Sequence, residues 1–224
     1  MIIKRFDYQE LSRETIQGER KYLTPDNERL ASVTTILSKT KSQESIDALS
    51  NWRKRMGESK ANQIVEEASS RGTRMHKYLE NYILNGVLDK PGSNPYSQQS
   101  HKMAQTIIDN GFYKISESWG TEVSLYYPGL YAGTTDYVGV WQNKPAIMDF
   151  KQSNKIKKSE YVEDYRLQLC SYAQAHNKLY GTNIKTGVIL LCTADYEYQE
   201  FVVENDEFEY YSDQWWNRVE KYYS

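Results

Sequence analysis

One stretch of the chain is apolar along almost its whole length: TGVILLC, residues 186–192. Side chains alternate between the two faces of a strand, so a strand without polar alternation must be buried on both faces. A long helical segment over residues 159–181 precedes it, and a strand over residues 144–151 precedes that helix. Strand, helix and buried strand form a right-handed βαβ crossover. We therefore expect an α/β protein whose central mixed β-sheet is flanked by helices.

The length and composition suit a single domain. The chain has 224 residues, of which 39% are hydrophobic and 26% are charged, and it contains no internal repeat or low-complexity linker. The expected parts are an N-terminal arm or short hairpin (1–31), a helical part (32–111), a core sheet and helix (112–203) and a C-terminal helix (204–224). The helical part forms a helical N-terminal half, in which residues 58–70 and 72–86 are predicted as separate helices and Ser32 as an N-cap.

Charge and cysteine content exclude several classes of protein. The net charge is −2, so any contact with nucleic acid must come from a local basic patch. Cys170 and Cys192 are too few for a Cys₄ zinc site or an iron–sulfur cluster held by this chain alone. They also make no disulfide framework, and the chain shows no apolar signal region, transit peptide or membrane-length run. We therefore expect a cytoplasmic protein without a membrane partner.

Two aspartates and a lysine cluster in one predicted hairpin: GTTDYVGVWQNKPAIMDFKQS, residues 133–153. With QNKP as the turn, Asp136 lies opposite Asp149 or Lys151, and all three share one face. Neighbouring carboxylates raise each other's pKa unless a cation sits between them, and hard oxygen ligands suit Mg²⁺ or Mn²⁺. Lys151 could then orient water or stabilise charge on a phosphate. The alternative is a surface salt bridge among the three residues.

Other polar residues accompany the hairpin. Gly72, His76 and Glu80 are spaced four apart on a predicted amphipathic helix and share one stripe, so His76 could add an imidazole ligand. The alternative for His76 is a half-buried side chain bonded to Glu80. Gln168 and Tyr172 are i, i+4 neighbours on the long helix, and Glu122 lies on a strand before the hairpin; each alone is an ordinary polar residue.

The order of these motifs resembles the RecB-type branch of the PD-(D/E)XK nuclease superfamily. The stretches SVTTIL, WRKRMG and RGTRMHKYLE are most similar to the mitochondrial genome maintenance exonuclease group and its phage and bacterial relatives. The resemblance covers residues 32–203 and implies a restriction-endonuclease-like core with a divalent metal, Mg²⁺ or Mn²⁺. It implies that His76, Asp136 and Asp149 are metal ligands, with the Phe150 carbonyl as a further one. It also implies that Lys151 is the catalytic lysine.

The resemblance further implies contacts with nucleic acid. Gln168 and Tyr172 would hold the active-site end of the long helix and touch the backbone, and Glu122 would be an accessory catalytic group. Two basic stretches could supply phosphate contacts, and one tryptophan could stack on a base or cap a helix as a core residue. The residues concerned are Lys155 and Lys157 after the catalytic strand, and Trp52, Arg53 and Arg74 in the helical part.

These residues predict a metal-dependent DNA exonuclease, and the resemblance implies that it prefers single-stranded ends and serves DNA replication, repair or recombination. We expect a monomer that is bacterial or phage-encoded. No G-x₄-GK[ST] motif is present, so we expect no nucleotide cofactor and no fused helicase motor. Two alternatives remain: an endonuclease or nuclease subunit of a recombination complex that needs a partner, and a non-catalytic DNA-binding protein with the same fold.

Overall fold

The computed structural model describes residues 2–224. Within them, eight strands form one mixed sheet: β1 (Ser12–Ile16), β2 (Glu19–Leu23), β3 (Arg29–Ser32), β4 (Ile115–Tyr127), β5 (Tyr131–Trp141), β6 (Lys144–Ser153), β7 (Thr186–Thr193) and β8 (Tyr198–Glu204). The same residues contain six α-helices: α1 (Val33–Lys39), α2 (Gln43–Met56), α3 (Glu58–Asn85), α4 (Pro95–Gly111), α5 (Glu163–Tyr180) and α6 (Asn205–Tyr223).

The predicted crossover is present. Strands β6 and β7 pair in parallel, with Asp149 beside Ile189, and α5 connects them. Every residue of β7 is buried, as the unbroken apolar run predicts for a central strand. The sheet runs in the order β1-β2-β3-β5-β6-β7-β8, and β4 pairs with the other edge of β5.

Helices cover both faces of the sheet, which confirms the α/β prediction. On one face α1, α5 and α6 pack over a core that includes Leu169, Ile189 and Trp215. On the other face α3 and α4 pack over a core that includes Met75 and Met148. Within residues 2–224, no helix has both the length and the apolar composition required to cross a bilayer.

One edge of β5 is interrupted. Strand β4 pairs along the whole of β5, so β3 and β6 share the opposite edge. On that edge β3 pairs with Tyr131 and Ala132, and β6 pairs with residues 137–141. Residues 133–136 therefore lack a strand partner there. We call this stretch the sheet gap; it is the place where the polar residues of the hairpin meet.

The helical part differs from the prediction at one point. Residues 58–70 and 72–86 form one continuous helix, α3, and not two. Gly72 lies within this helix, and a Cβ on it would stand 3.3 Å from Cγ of Gln152. The glycine therefore permits close packing of α3 on β6 and does not end a helix. Gly86, with φ +73°, is the residue that ends α3.

Two further details concern turns and ends. The turn between β5 and β6 has two residues, Gln142 and Asn143, with φ of 46° and 67°, so the four-residue turn QNKP is wrong. Lys144 is already paired with Trp141. The predicted turn and the observed turn both have an even number of residues, so the side chains of the two strands keep the expected faces. Residues 12–32 contribute three strands to the sheet, so the hairpin alternative for this arm is the one observed.

Candidate active site

The acid pair lies where β5 and β6 separate. Their pairing ends at Tyr137 opposite Met148, so Asp136 and Asp149 are the next residues in register. Beyond this point the N–H of Phe150 would have no strand to bond. It donates a 2.7 Å hydrogen bond to Oδ2 of Asp136 instead. The Asp136 side chain thus takes the place of a missing strand and is held at the end of the sheet gap.

His76 reaches the same point from α3. Its Nδ1 lies 3.4 Å from Oδ1 of Asp136, and its ring meets the Phe150 ring edge-on. Gly72, His76 and Glu80 all line one cleft, as their fourfold spacing on a helix predicts. The nearest acid to the imidazole is Asp136 and not Glu80, whose carboxylate is paired with Lys77.

Glu122 enters from β4 in a strained backbone conformation. It lies between the pairs Thr121–Tyr137 and Val123–Thr135, so its register position is opposite Asp136. Its φ is +51°, a left-handed value that costs a residue with a Cβ roughly 1–2 kcal/mol. Strain of this kind persists where the surrounding structure enforces it, often at functional sites. Here it accompanies a carboxylate placed beside Asp136 and His76.

Lys151 links Asp149 to the long helix. Its ammonium forms an ion pair with Asp149 and lies 3.2 Å from Oε1 of Gln168. The Gln168 amide is in turn 3.4 Å from the hydroxyl of Tyr172, and the ring of Tyr165 lies 4.9 Å from the ammonium. Lysine, aspartate, glutamine and tyrosine therefore form one connected polar chain, as expected from the i, i+4 spacing on α5.

Burial and mutual repulsion perturb the pKa values of the acids. Burial, with Asp136 nearby, raises the pKa of Glu122 to about 7. Burial raises the pKa of Asp149 to about 6, although Lys151 acts in the opposite direction. Burial also opposes ionisation of Asp136, but His76 and Lys151 hold the pKa of Asp136 below its usual value.

For the two cationic groups, the attraction of nearby carboxylates outweighs the effect of burial on the pKa. Burial lowers the pKa of His76, but the Asp136 carboxylate more than offsets this, and the pKa of His76 lies above its ordinary value. For Lys151 the carboxylates of Asp149 and Asp136 likewise outweigh burial and raise its pKa. Lys151 therefore carries its charge throughout the neutral range.

These side chains line one cleft of about 770 Å³. Its floor is the sheet gap, α3 and α5 contribute side chains from the two faces, and β6 forms one wall. Seven of the residues singled out from the sequence lie in its lining: His76, Glu122, Asp136, Asp149, Lys151, Gln168 and Tyr172. They come from five different elements.

The remaining predicted site residues lie outside this lining. The Phe150 ring is buried against Phe112 and Tyr137, and its described link to the site is the N–H bonded to Asp136. Lys155 and Lys157 lie on the segment after β6, where the backbone N–H of Lys157 donates to Gln199.

The three residues from the helical part also stand apart from the cleft. Trp52 is half-buried on α2, a helix with no fully buried residue. Arg53 is paired with Glu58 at 2.8 Å. Arg74 bonds to Ser100 and lies over the ring of Tyr96. None of the three belongs to the lining of the cleft.

Sequence reasoning missed the opposite wall of the cleft. Arg13, Arg20 and Tyr22 of the β1–β2 hairpin line it, together with Ser32 and Thr34 at the start of α1. The alternation of RKYL and the turn residues Gln17 and Gly18 indicate a hairpin, but no local pattern shows which part of the sheet that hairpin joins.

The residues present fit a divalent metal. His76, Glu122 and Asp136 each offer one ligand atom, and these atoms lie within 4.8 Å of one another. One imidazole and two carboxylates suit Mn²⁺ or Mg²⁺. Burial and the neighbouring Asp136 raise the pKa values of Glu122 and Asp149, and a divalent cation would offset both effects. Glu122 joins His76 and Asp136 here, whereas Asp149 is engaged by Lys151.

Comparisons with known proteins agree with the resemblance. No family model matches the chain. The curated Mitochondrial genome maintenance exonuclease 1 of Xenopus tropicalis is 29% identical over 182 residues, which cover 75% of this chain and 50% of that protein. The human protein of the same name is 25% identical over 175 residues, covering 74% and 50%. The chain thus spans about half the length of the curated relatives it matches.

A solved structure was also found. A Eubacterium rectale protein is 13% identical, with a TM-score of 0.48, and the match covers 67% of this chain and 64% of that one. We conclude nothing from a TM-score below 0.5. The curated relatives confirm the predicted resemblance between this chain and the mitochondrial genome maintenance exonucleases.

Proposed function

We propose that this protein is a metal-dependent exonuclease that hydrolyses phosphodiester bonds at the ends of single-stranded DNA. The observation that carries this proposal is the convergence of His76, Glu122 and Asp136 within 4.8 Å, beside the Asp149–Lys151 pair. The names of the curated relatives support a nuclease acting on DNA. The chain matches 50% of each of these longer relatives, so the activity is our proposal for this chain and is not taken from theirs.

His76, Glu122 and Asp136 would hold the metal, with Asp149 beside them. A bound Mg²⁺ or Mn²⁺ would polarise a phosphoryl oxygen and make bound water more acidic. The chain supplies the dry, rigid setting for this chemistry. Asp136 is fixed by the Phe150 N–H, and Asp149 is 1% exposed. His76 must be neutral to bind a metal, so metal binding would displace its proton.

Lys151 and Glu122 would have separate roles in the reaction. Lys151 remains protonated because its pKa is raised, so its ammonium would stabilise negative charge on the phosphate oxygens. Glu122, whose pKa is raised to about 7 without a cation, would lose its proton when the metal binds and would serve as a carboxylate ligand. Gln168 and Tyr172 would hold Lys151 and contact the DNA backbone from α5.

The test is degradation of single-stranded oligonucleotides labelled at the 5′ or the 3′ end, with Mg²⁺, Mn²⁺ or EDTA. Lys151→Ala should lower the rate by about 10²–10³-fold, the usual loss for one charge-stabilising group. Lys144→Ala is the matched control, because Lys144 begins the same strand and pairs with Glu204 at the surface. It should cut at the wild-type rate.

The outcomes separate the alternatives. Stepwise, metal-dependent products from linear DNA, with a single-stranded circle left intact, would support an exonuclease. Cutting of the circle would indicate an endonuclease. Cutting of RNA and not of DNA would show that the substrate is RNA. Binding without cutting under any metal would favour a subunit that needs a partner or a non-catalytic binding protein.

A further inference from the structure

The β1–β2 hairpin presents two arginines to the cleft. In its antiparallel register Arg13 lies opposite Tyr22, and Thr15 lies opposite Arg20. Residues directly opposite each other share a face, as do residues two apart on one strand. Arg13, Arg20 and Tyr22 therefore project from the same face of the hairpin, and all three line the cleft.

This hairpin is fixed relative to the acids. The hydroxyl of Tyr22 lies 3.2 Å from Oγ1 of Thr134, which stands in the sheet gap two residues before Asp136. Thr35 of α1 donates to the backbone carbonyl of Arg20 at 3.2 Å. Tyr22 is 4% exposed, so the contact with β5 is a packed one. The two arginines thus stand on a rigid wall and not on a loose arm.

The acidic residues of the hairpin are already neutralised by other cations. Glu14, next to Arg13, pairs with Arg29 at 3.5 Å, and Glu19, next to Arg20, pairs with Lys39 at 3.0 Å. Both arginines are exposed, and neither has a carboxylate within 4.0 Å among residues 2–224. Their charges are available to a ligand.

The other cations of the cleft are committed. Lys77 pairs with Glu80 at 2.9 Å, Lys151 pairs with Asp149, and His76 lies against Asp136. Within the described chain, Arg13 and Arg20 are therefore the lysine or arginine residues lining the cleft that lack an acidic partner. They stand across the sheet gap from Lys151, on the wall opposite β6.

We propose that Arg13 and Arg20 bind the backbone phosphates that flank the scissile one, so that the hairpin and β6 hold a single strand between them. The inference rests on the proposed nuclease function and adds the substrate-positioning wall that no motif identifies. The two guanidinium groups occupy diagonal positions of the hairpin, about 7–8 Å apart at their base, and each can bond a phosphate through two N–H groups. Contacts of this kind fix register and carry no base preference.

Binding of a fluorescein-labelled single-stranded oligonucleotide, measured by anisotropy in EDTA, tests this without cleavage. We expect Arg13→Ala and Arg20→Ala each to raise Kd about tenfold, the usual loss of a charge-assisted hydrogen bond. Each should also reduce the slope of log K against log salt by about 0.7. The paired change Arg13→Lys with Arg20→Lys should restore the salt slope but not the full affinity, because lysine lacks the planar fork.

Lys21→Ala is the matched control. Lys21 lies between Arg20 and Tyr22 on β2, opposite Glu14, and its side chain points from the other face of the hairpin. The control removes one positive charge from the same strand but from the other face of the hairpin. It should therefore leave Kd and the salt slope near the wild-type values. Steady-state cleavage should show a raised KM and a nearly unchanged kcat for the two arginine variants.

Different experimental results would overturn the inference and the proposed function. If the wild-type chain binds and cuts single-stranded DNA, but the arginine variants have the same Kd and salt slope as Lys21→Ala, the role of the hairpin is overturned and the proposed function stands. Wild-type chain that neither binds nor cuts any single strand would overturn the function and the inference together. Circular dichroism of each variant excludes misfolding, and Arg20→Glu, an exposed charge reversal, should weaken binding more than Arg20→Ala.

Discussion

The backbone N–H of Phe150 donates a 2.7 Å hydrogen bond to Oδ2 of Asp136, across the point where β5 and β6 stop pairing. Two requirements meet in this contact. The fold needs an acceptor for a strand N–H whose partner strand has ended, and the proposed metal site needs an acid in a fixed position. Asp136 serves both, so structural and functional roles at this residue can be separated only by choosing substitutions that keep the acceptor.

Asp136→Asn and Asp136→Ala should therefore behave differently. Asparagine keeps a carbonyl oxygen for the Phe150 N–H, so we expect a folded protein that has lost metal-dependent cutting. Alanine leaves that N–H without a partner, which costs about 1–3 kcal/mol. Urea unfolding followed by circular dichroism measures the difference. Equal stability of the two variants would contradict the structural role of the hydrogen bond.

Glu122, Asp149 and His76 together should make the metal-free protein less stable as pH rises from about 4.5 to about 7.5, and they outnumber the one opposing group, buried His176, whose pKa is lowered to about 4. The pKa values of Glu122 and Asp149 are raised to about 7 and about 6, so over this range the unfolded chain releases protons that the folded chain retains. The raised pKa of His76 acts in the same direction, since its contribution disappears as the imidazole loses its proton. Melting temperatures in EDTA across this range measure the effect.

Glu122→Gln isolates one part of that pH dependence. It should raise the melting temperature at pH 7.5 in EDTA, because it removes a carboxylate next to Asp136, and should weaken the stabilisation given by Mn²⁺. Stability and function thus change in opposite directions at one position. A variant that melts below wild type in EDTA at pH 7.5 would show that Glu122 is not repelled in the metal-free fold.

Two glycines should respond oppositely to alanine. A Cβ on Gly133, in the sheet gap, would stand 2.8 Å from Cε1 and the hydroxyl of Tyr172, which is 2% exposed and has little freedom to move. We expect Gly133→Ala to cost about 1–3 kcal/mol and to slow cutting by displacing Tyr172. Gly72→Ala meets only Cγ of Gln152 at 3.3 Å, and a shift of that side chain by a few tenths of an ångström, with its hydrogen bonds to Arg71 kept, makes room for the methyl group. It should be neutral or stabilise helix α3 by up to about 1 kcal/mol. Denaturant midpoints compare the two; similar losses would contradict the difference in packing.

The cysteines should be inert in the folded protein. Cys170 and Cys192 are fully buried, and burial raises the pKa of their thiols to about 12 and about 11. N-ethylmaleimide should label neither under native conditions and both in concentrated urea, as mass spectrometry would show. Ser50→Cys places a thiol on the exposed part of α2 and is the positive control. Native labelling at either natural cysteine would reveal local opening of α5 or β7.

Local patterns were sufficient for most helices and strands after residue 32 and for much of the candidate site. Ser32 caps α1 by accepting a 3.0 Å bond from the N–H of Thr35, as its residue type predicts. The spacing of Gly72, His76 and Glu80 puts them in one cleft, and the even turn keeps Asp136 and Asp149 in step. These features depend on neighbours in sequence, where helix and strand periods are decisive.

Features that depend on distant pairing could not be predicted. The sheet gap exists because Ala31 pairs with Tyr131, which lies 100 residues further along the chain. The positive φ of Glu122 arises from how β4 pairs beside Asp136, and no residue preference signals it. Arg13 and Arg20 reach the cleft only because the hairpin that carries them joins β3.

The sheet gap also shortens the seam that joins the two parts of the sheet. Backbone pairing between its two parts, β1 to β5 on one side and β6 to β8 on the other, is confined to residues 137–141 with 144–148. Asp136 and Asp149 sit at the open tip of this seam. A force that pulled the two parts away from each other would separate these acids before it broke any of the remaining pairs. The hydrogen bond from the Phe150 N–H to Asp136 fastens this tip, so a residue of the candidate metal site also closes the seam.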